Sequence, residues 1–181
     1  METQTSTIQA PTTTLSGDWR VDPGRSRVRF HTRAMFGLLP VLGRFERFGG
    51  ALHVADTGQA TGDLRIESAS IRTGISKRDG HLRTEDFFHA DAYPYLTFKL
   101  TGLRTGSDIG EVTGTLGIRG KTLPIRARAA IADADSELQI DARFPVDHDA
   151  AGLGWAKPGL IRKVIDADVQ LTLTRETAND V

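Results

Sequence analysis

The densest set of ionisable side chains lies between positions 79 and 91: Asp79, His81, Asp86, His89 and Asp91. Imidazoles beside carboxylates can hold a metal ion or pass protons. The spacing matches no metal signature, because His81 and His89 are too far apart to share neighbouring turns of one helical face. Surface caps and ion pairs account for the cluster more simply. Gly120-Lys121-Thr122 matches only the end of a phosphate-binding loop: Thr115 stands where the first glycine belongs, and the setting is strand to strand. No Gly-x-Ser-x-Gly elbow occurs, and no base is predicted beside Ser26, Ser70 or Ser76. The chain has no cysteine, which removes thiolate chemistry and any reading of redox compartment. No catalytic residues, no metal and no cofactor are therefore expected.

The element that must position this cluster is the stretch from Ser70 to Phe98, where strand-like alternation stops. Ser76, three residues before Asp79, is a predicted helix cap. Gly80 weakens a helix, so short helical turns are expected over about 76–90. Leu82, Phe87 and Phe88 give the stretch an apolar side, and Tyr93-Pro94-Tyr95 ends it. So much aromatic surface must cover something apolar, either a barrel end or simply the rest of a core.

On both sides of this insert the chain alternates with the period of two that marks half-buried strands. Val28 and Phe30 face one way, Arg27 and Arg29 the other. Leu64 and Ile66 oppose Asp63, Arg65 and Glu67. Leu96, Phe98 and Leu100 share a face, as do Val112, Gly114, Leu116 and Ile118, and then Leu123 to Ile131, Leu138 to Val146 and Ile165 to Leu173. Turns are expected at Pro23-Gly24, Thr57-Gly58 and Gly120-Lys121, and a bend at Gly49-Gly50. About eight such strands joined by short turns predict an all-β, antiparallel up-and-down barrel, or failing that a sandwich.

One domain suits 181 residues. Lys plus Arg equal Asp plus Glu at 23 each, which excludes the broadly basic surface of a general nucleic-acid binder. No run approaches the ~20 apolar residues of a membrane helix, leaving at most transient membrane contact. The opening METQTSTIQAPTTTLSG has neither the basic start nor the apolar run of a signal peptide, so the expected setting is cytoplasmic. Residues 1–16 read as a polar tail, 17–176 as the barrel and 177–181 as a frayed end.

Four blocks, in order, resemble the YceI-like, polyisoprenoid-binding family with a lipocalin-like barrel. They are Trp19 to Phe30 (WRVDPGRSRVRF), Val41 to Gly50 (VLGRFERFGG), Ser70 to Phe98, and Val112 to Pro124 (VTGTLGIRGKTLP). Within the third stand Ser70-Ile71-Arg72-Thr73-Gly74, Arg78-Asp79-Gly80-His81-Leu82 and Asp86-Phe87-Phe88-His89-Ala90. The resemblance covers roughly Leu15 to Glu176. It implies an elongated eight-stranded barrel that holds a long isoprenoid, a quinone-like molecule or a similar amphiphilic lipid in an apolar channel. Phe30, Phe45, Leu64, Ile66, Phe87 and Phe88 are then expected to line it, with Phe98, Leu116, Ile125, Phe144, Trp155 and Val169. Arg78, Asp79 and His81 are expected at the head-group end. Two features depart from the family: many members are exported, and Asp147 to Arg162 follows the pattern less closely. The competing readings are an enzyme acting on such a lipid and a filled barrel that binds a partner. A homodimer is compatible with all three, although the sequence marks no interface.

Overall fold

The structure is a computed structural model; it describes residues 15–34, 38–105, 109–134, 136–153 and 163–176. Eleven strands and one helix follow one another: β1 (Gly17–Val21), β2 (Arg27–Ala34), β3 (Leu39–Phe45), β4 (Phe48–Val54), β5 (Ala60–Glu67), β6 (Ile71–Arg72), α1 (Ser76–Arg83), β7 (Tyr95–Arg104), β8 (Gly110–Ile118), β9 (Lys121–Ala134), β10 (Glu137–Asp147) and β11 (Val164–Arg175).

The ring β1-β4-β5-β7-β8-β9-β10-β11 closes where β11 returns to β1, all pairs antiparallel. The protein is thus an eight-stranded antiparallel barrel in sequence order, with one short helix. The extra strands arise because three walls are interrupted. β1 and β2 lie end to end along β11: Trp19 to Val21 pair with Arg175 to Leu173, and Arg27 to His31 with Gln170 to Asp166. β3 and β4 form the next wall, broken at Glu46-Arg47, and β5 with β6 the third.

The breaks have local causes. Between β1 and β2, Ser26 Oγ accepts a hydrogen bond from Thr172 N at 3.0 Å, so its hydroxyl stands in for ladder bonds that the Pro23-Gly24 turn gives up. The bend expected at Gly49-Gly50 falls earlier, at Glu46-Arg47. Gly50 instead lets two backbones approach: a Cβ there would lie 2.1 Å from the Asp63 carbonyl oxygen. The β8–β9 turn is Arg119-Gly120, one residue before the expected pair. Both have positive φ, 48° and 72°, as a two-residue type I′ hairpin requires. A bulge between Leu100 and Gly102 of β7, not expected from sequence, shifts its register against β8.

Inward residues close one end of the barrel tightly. Trp19, Leu138 and Leu173 are buried there. Trp19 donates from Nε1 to the Leu15 carbonyl, and the Arg175 guanidinium lies over its ring. Leu15 and Ser16, assigned to a tail in the sequence reading, are therefore tied to the barrel. The rest of residues 1–16, residues 106–108 and residues 177–181 lie outside the described residues.

Candidate functional site

At the other end, β5 and β7 stop pairing after Glu67↔Tyr95, and the chain between them folds inward as a plug. Its backbone is secured by side chains. Ser68 Oγ donates to the Tyr93 carbonyl and Ser70 Oγ to that of Glu67. α1 begins at Ser76, but the serine does not cap it; Ile75 is the capping position and offers no side-chain acceptor. Asp79, one turn in, reaches back instead. Its buried carboxylate accepts bonds from Thr73 N at 2.8 Å and from the Thr73 hydroxyl. Arg78 holds the same threonine through its hydroxyl and carbonyl oxygens. Gly80 lies within α1, which runs through it for eight residues as one helix. Its N-terminus anchored in this way, α1 turns Leu82 inward, and the following turns bury Phe87 and Phe88.

Beneath the plug lies a cavity of about 240 Å³. Its wall is aromatic and aliphatic: Phe30 and Phe45 from β2 and β3, Leu116 and Ile118 from β8, Phe144 and Val146 from β10, Val169 from β11. Phe30 packs on Phe45 at 5.9 Å between ring centres, and Phe45 meets Phe88 edge-on at 5.8 Å. Farther along the axis is a second apolar cavity of about 110 Å³, lined among others by Leu64, Phe98 and Ile125. Leu116, Phe144 and Val169 line both. They form a waist between the two spaces.

The structure thus brings Phe30, Phe45, Phe87 and Phe88 to the plugged cavity, Leu64, Phe98 and Ile125 to the inner one, and Leu116, Phe144 and Val169 to the waist. Ile66 is buried but lines neither space. Trp155 lies outside the described residues. Of the three residues assigned to the polar end, Arg78 and His81 reach the first cavity, whereas Asp79 faces Thr73 and serves the backbone.

The small inward positions do not all leave room. Phe98 occupies the space over Gly114, where a Cβ would lie 2.5 Å from the ring, and Phe30 does the same over Gly43 at 2.2 Å.

Sequence reasoning missed His148. It follows β10 in a stretch read only as loop, where no periodicity points to an inward side chain. Its ring is buried, lines the first cavity and meets Phe87 at 6.2 Å. Nδ1 lies 3.4 Å from Asp149, while Nε2 has no hydrogen-bond partner among the described residues. His81 meets the other edge of this region, with Nδ1 3.9 Å from Asp86 and its ring 5.7 Å from Phe87. Arg78, His81 and His148 are thus three polar groups at the plugged end of a mostly apolar lining. Among the described residues, no three His, Asp or Glu side chains converge as a metal-holding group, and no helix is long and apolar enough to cross a membrane.

A closed antiparallel barrel, plugged by a helical insert and apolar within, is the lipocalin-like class. The YceI-like domain model matches residues 19–177, and the chain belongs to that family. Its sequence is similar to a UPF0312 protein of Pseudomonas aeruginosa, 26% identical over 120 residues, which are 65% of this chain and 63% of that one. Protein YceI of Shigella flexneri is 27% identical over the same shares. The chain therefore matches less than two thirds of the length of these curated relatives. Among solved structures, BcnA of Burkholderia cenocepacia superposes with a TM-score of 0.76 at 22% identity, over 84% of this chain and 98% of that one. A polyisoprenoid-binding domain of Saccharophagus degradans gives 0.72 at 18%, over 87% and 98%. At these identities the likeness speaks for the fold.

Proposed function

We propose that the protein binds a long-chain isoprenoid or similar amphiphilic lipid inside the barrel and acts as its carrier or store, without catalysing its conversion. The observation that carries this reading is the pair of apolar cavities in line along the barrel axis. The first alone is smaller than the roughly 300 Å³ at which small-molecule sites begin. A chain long enough to need a carrier would therefore pass Leu116, Phe144 and Val169 and use both. Burial supplies the affinity: about 0.8 kcal/mol per CH₂-sized group makes about 4 kcal/mol per five-carbon unit. Arg78, His81 and His148 offer a polar end for a hydroxyl, carbonyl or anionic head. The polyisoprenoid-binding neighbour from Saccharophagus degradans lends the ligand class.

Mass spectrometry of an organic extract of gently purified protein tests the reading. A stoichiometric isoprenoid or quinone is expected. Leu116→Trp, which fills the waist, should cut lipid uptake at least tenfold while the protein stays folded. Uptake unchanged in that variant would place the lipid elsewhere. A cytoplasmic setting belongs to the same proposal, and cell fractionation checks it.

A further inference from the structure

Large apolar side chains left in water are distributed unevenly over this barrel. Leu38 is 77% exposed, Leu42 68% and Leu39 51%, and all three belong to the end of the β2–β3 hairpin. Val164, also exposed, lies across β2 from them: its carbonyl accepts the Thr32 hydroxyl at 3.4 Å. Isolated exposed leucines are ordinary; three at one end of one hairpin mark a contact surface. The sequence carries no charge from 34 to 43, and Arg33 and Arg44 bound that run on its two sides.

Behind the apolar end, register builds a basic row. Arg29 of β2 pairs with Arg44 of β3, which pairs with Arg72 of β6. Like charges set across strands repel, and this row is only partly neutralised. Glu46 serves both Arg44, at 3.0 Å, and Arg72, at 3.4 Å. Asp168, opposite Arg29, is held by Arg143 at 3.1 Å. Nearer the tip, His31 meets Asp166. The three arginines line a groove on the outer wall, and Leu42 forms part of it. Guanidinium groups side by side suit phosphate oxygens. From the Arg29 row to Arg33 is four residues, about 13 Å at ~3.3 Å per residue. The inner face of the same hairpin, through Thr32, Ala34 and Val41, lines the first cavity.

We propose that this end of the barrel docks on an anionic phospholipid bilayer. The leucines enter the acyl-chain boundary, and Arg44, Arg72 and Arg29 meet phosphates behind them. The outermost described residues of the hairpin are Leu38 and Leu39, and Arg33, Leu42 and the Arg29–Arg44–Arg72 row follow them, which suits a bilayer interface with hydrocarbon outermost and phosphates behind. A second copy of this chain fits less well, because a two-fold contact through the same patch would bring one basic row against another. The proposal goes beyond lipid storage: it names the surface through which the barrel meets a membrane.

Co-sedimentation with vesicles tests it, using phosphatidylcholine alone and phosphatidylcholine mixed with phosphatidylglycerol. The protein should bind the mixed vesicles and lose binding as salt rises. Arg44→Gln with Arg72→Gln should weaken binding to mixed vesicles at least tenfold, each cation near an anionic surface being worth about a fivefold change. Leu38→Ser, Leu39→Ser and Leu42→Ser together should abolish it with little change in melting temperature, since Leu38 and Leu42 are mostly in water already and Leu39 about half so. That triple variant should still take up farnesol from solution, whereas Leu116→Trp should lose farnesol and keep the vesicles. This pair of results separates failure of docking from failure of the cavity reading. No binding of the unaltered protein to mixed vesicles overturns the proposal, as does equal binding by the leucine variant. A dimer in the ultracentrifuge that the leucine changes dissociate, without vesicle binding, would assign the patch to self-association and overturn it equally.

Discussion

Single side chains in the plug divide the work between building the site and lining it. Asp79, His81 and Asp86 share a short stretch of sequence but not a task. Asp79 holds Thr73 and with it the start of α1; His81 reaches the cavity; Asp86 stands beside His81 near the surface. Asp79→Ala would leave the Thr73 amide without its acceptor. We expect a loss of about 1–3 kcal/mol of folding stability, read as a lower urea midpoint with an unchanged slope. A variant as stable as the parent would mean that the plug is held by other contacts. Asp79→Asn keeps an acceptor oxygen and should lose less. The aromatic residues of this region were legible in sequence because an apolar cluster that interrupts strand periodicity has to be buried somewhere. The role of Asp79 was not, since an acid one turn into a helix reads the same whether it faces solvent or its own backbone.

At the scale of elements, glycines decide where aromatic rings can lie. On β3, Gly43 sits directly across from Phe30 on β2, and the ring covers it. Gly43→Val would drive its side chain into that ring and push Phe30 toward the cavity. The expected result is overpacking costing about 1–3 kcal/mol, seen as a lower melting temperature together with weaker lipid uptake. A melting temperature equal to the parent's would show that Phe30 moves without cost. The pairing that causes this was hidden from sequence reading: period-two alternation says which face a residue occupies, while the residue opposite depends on register. For the same reason the β7 bulge and the break at Glu46-Arg47 went unseen, and two glycines at 49 and 50 were the more visible signal for a bend.

For the molecule as a whole, exposed ion pairs tie turns and strand ends of the barrel together. Arg25, in the β1–β2 turn, donates from Nη2 to Glu137 at the start of β10, and Arg47 donates to Glu67 across the β4–β5 pair. The bond from Arg25 holds the Glu137 carboxyl below its ordinary range, and the bond from Arg47 does the same for Glu67. Asp147 is lowered by the backbone N–H groups of Ala150 and Asp149. A carboxylate whose folded value is depressed contributes its stabilisation above the unfolded value of about 4 and loses it as pH falls through the folded one. Stability should therefore be level on the neutral side of that window and decline below it. In Glu67→Gln, Glu137→Gln, Asp147→Asn protein, the decline measured by denaturation from neutral to acid pH should be shallower. Parallel profiles for parent and variant would show that these groups do not set acid stability.

The sequence by itself determined the class of this protein. Alternation along some eight segments with short polar turns calls for an antiparallel barrel or a sandwich, and four motif blocks in order resemble the barrel family. Those signals are local, carried by residues within a few positions of one another. The tertiary structure alone decided how the interior is divided: two cavities, a waist of Leu116, Phe144 and Val169, and His148 turned inward from a stretch without pattern. Each depends on which residues meet across strands far apart in the chain. Register, bulges and the covering of glycines by rings set those meetings, and no short window of sequence contains them.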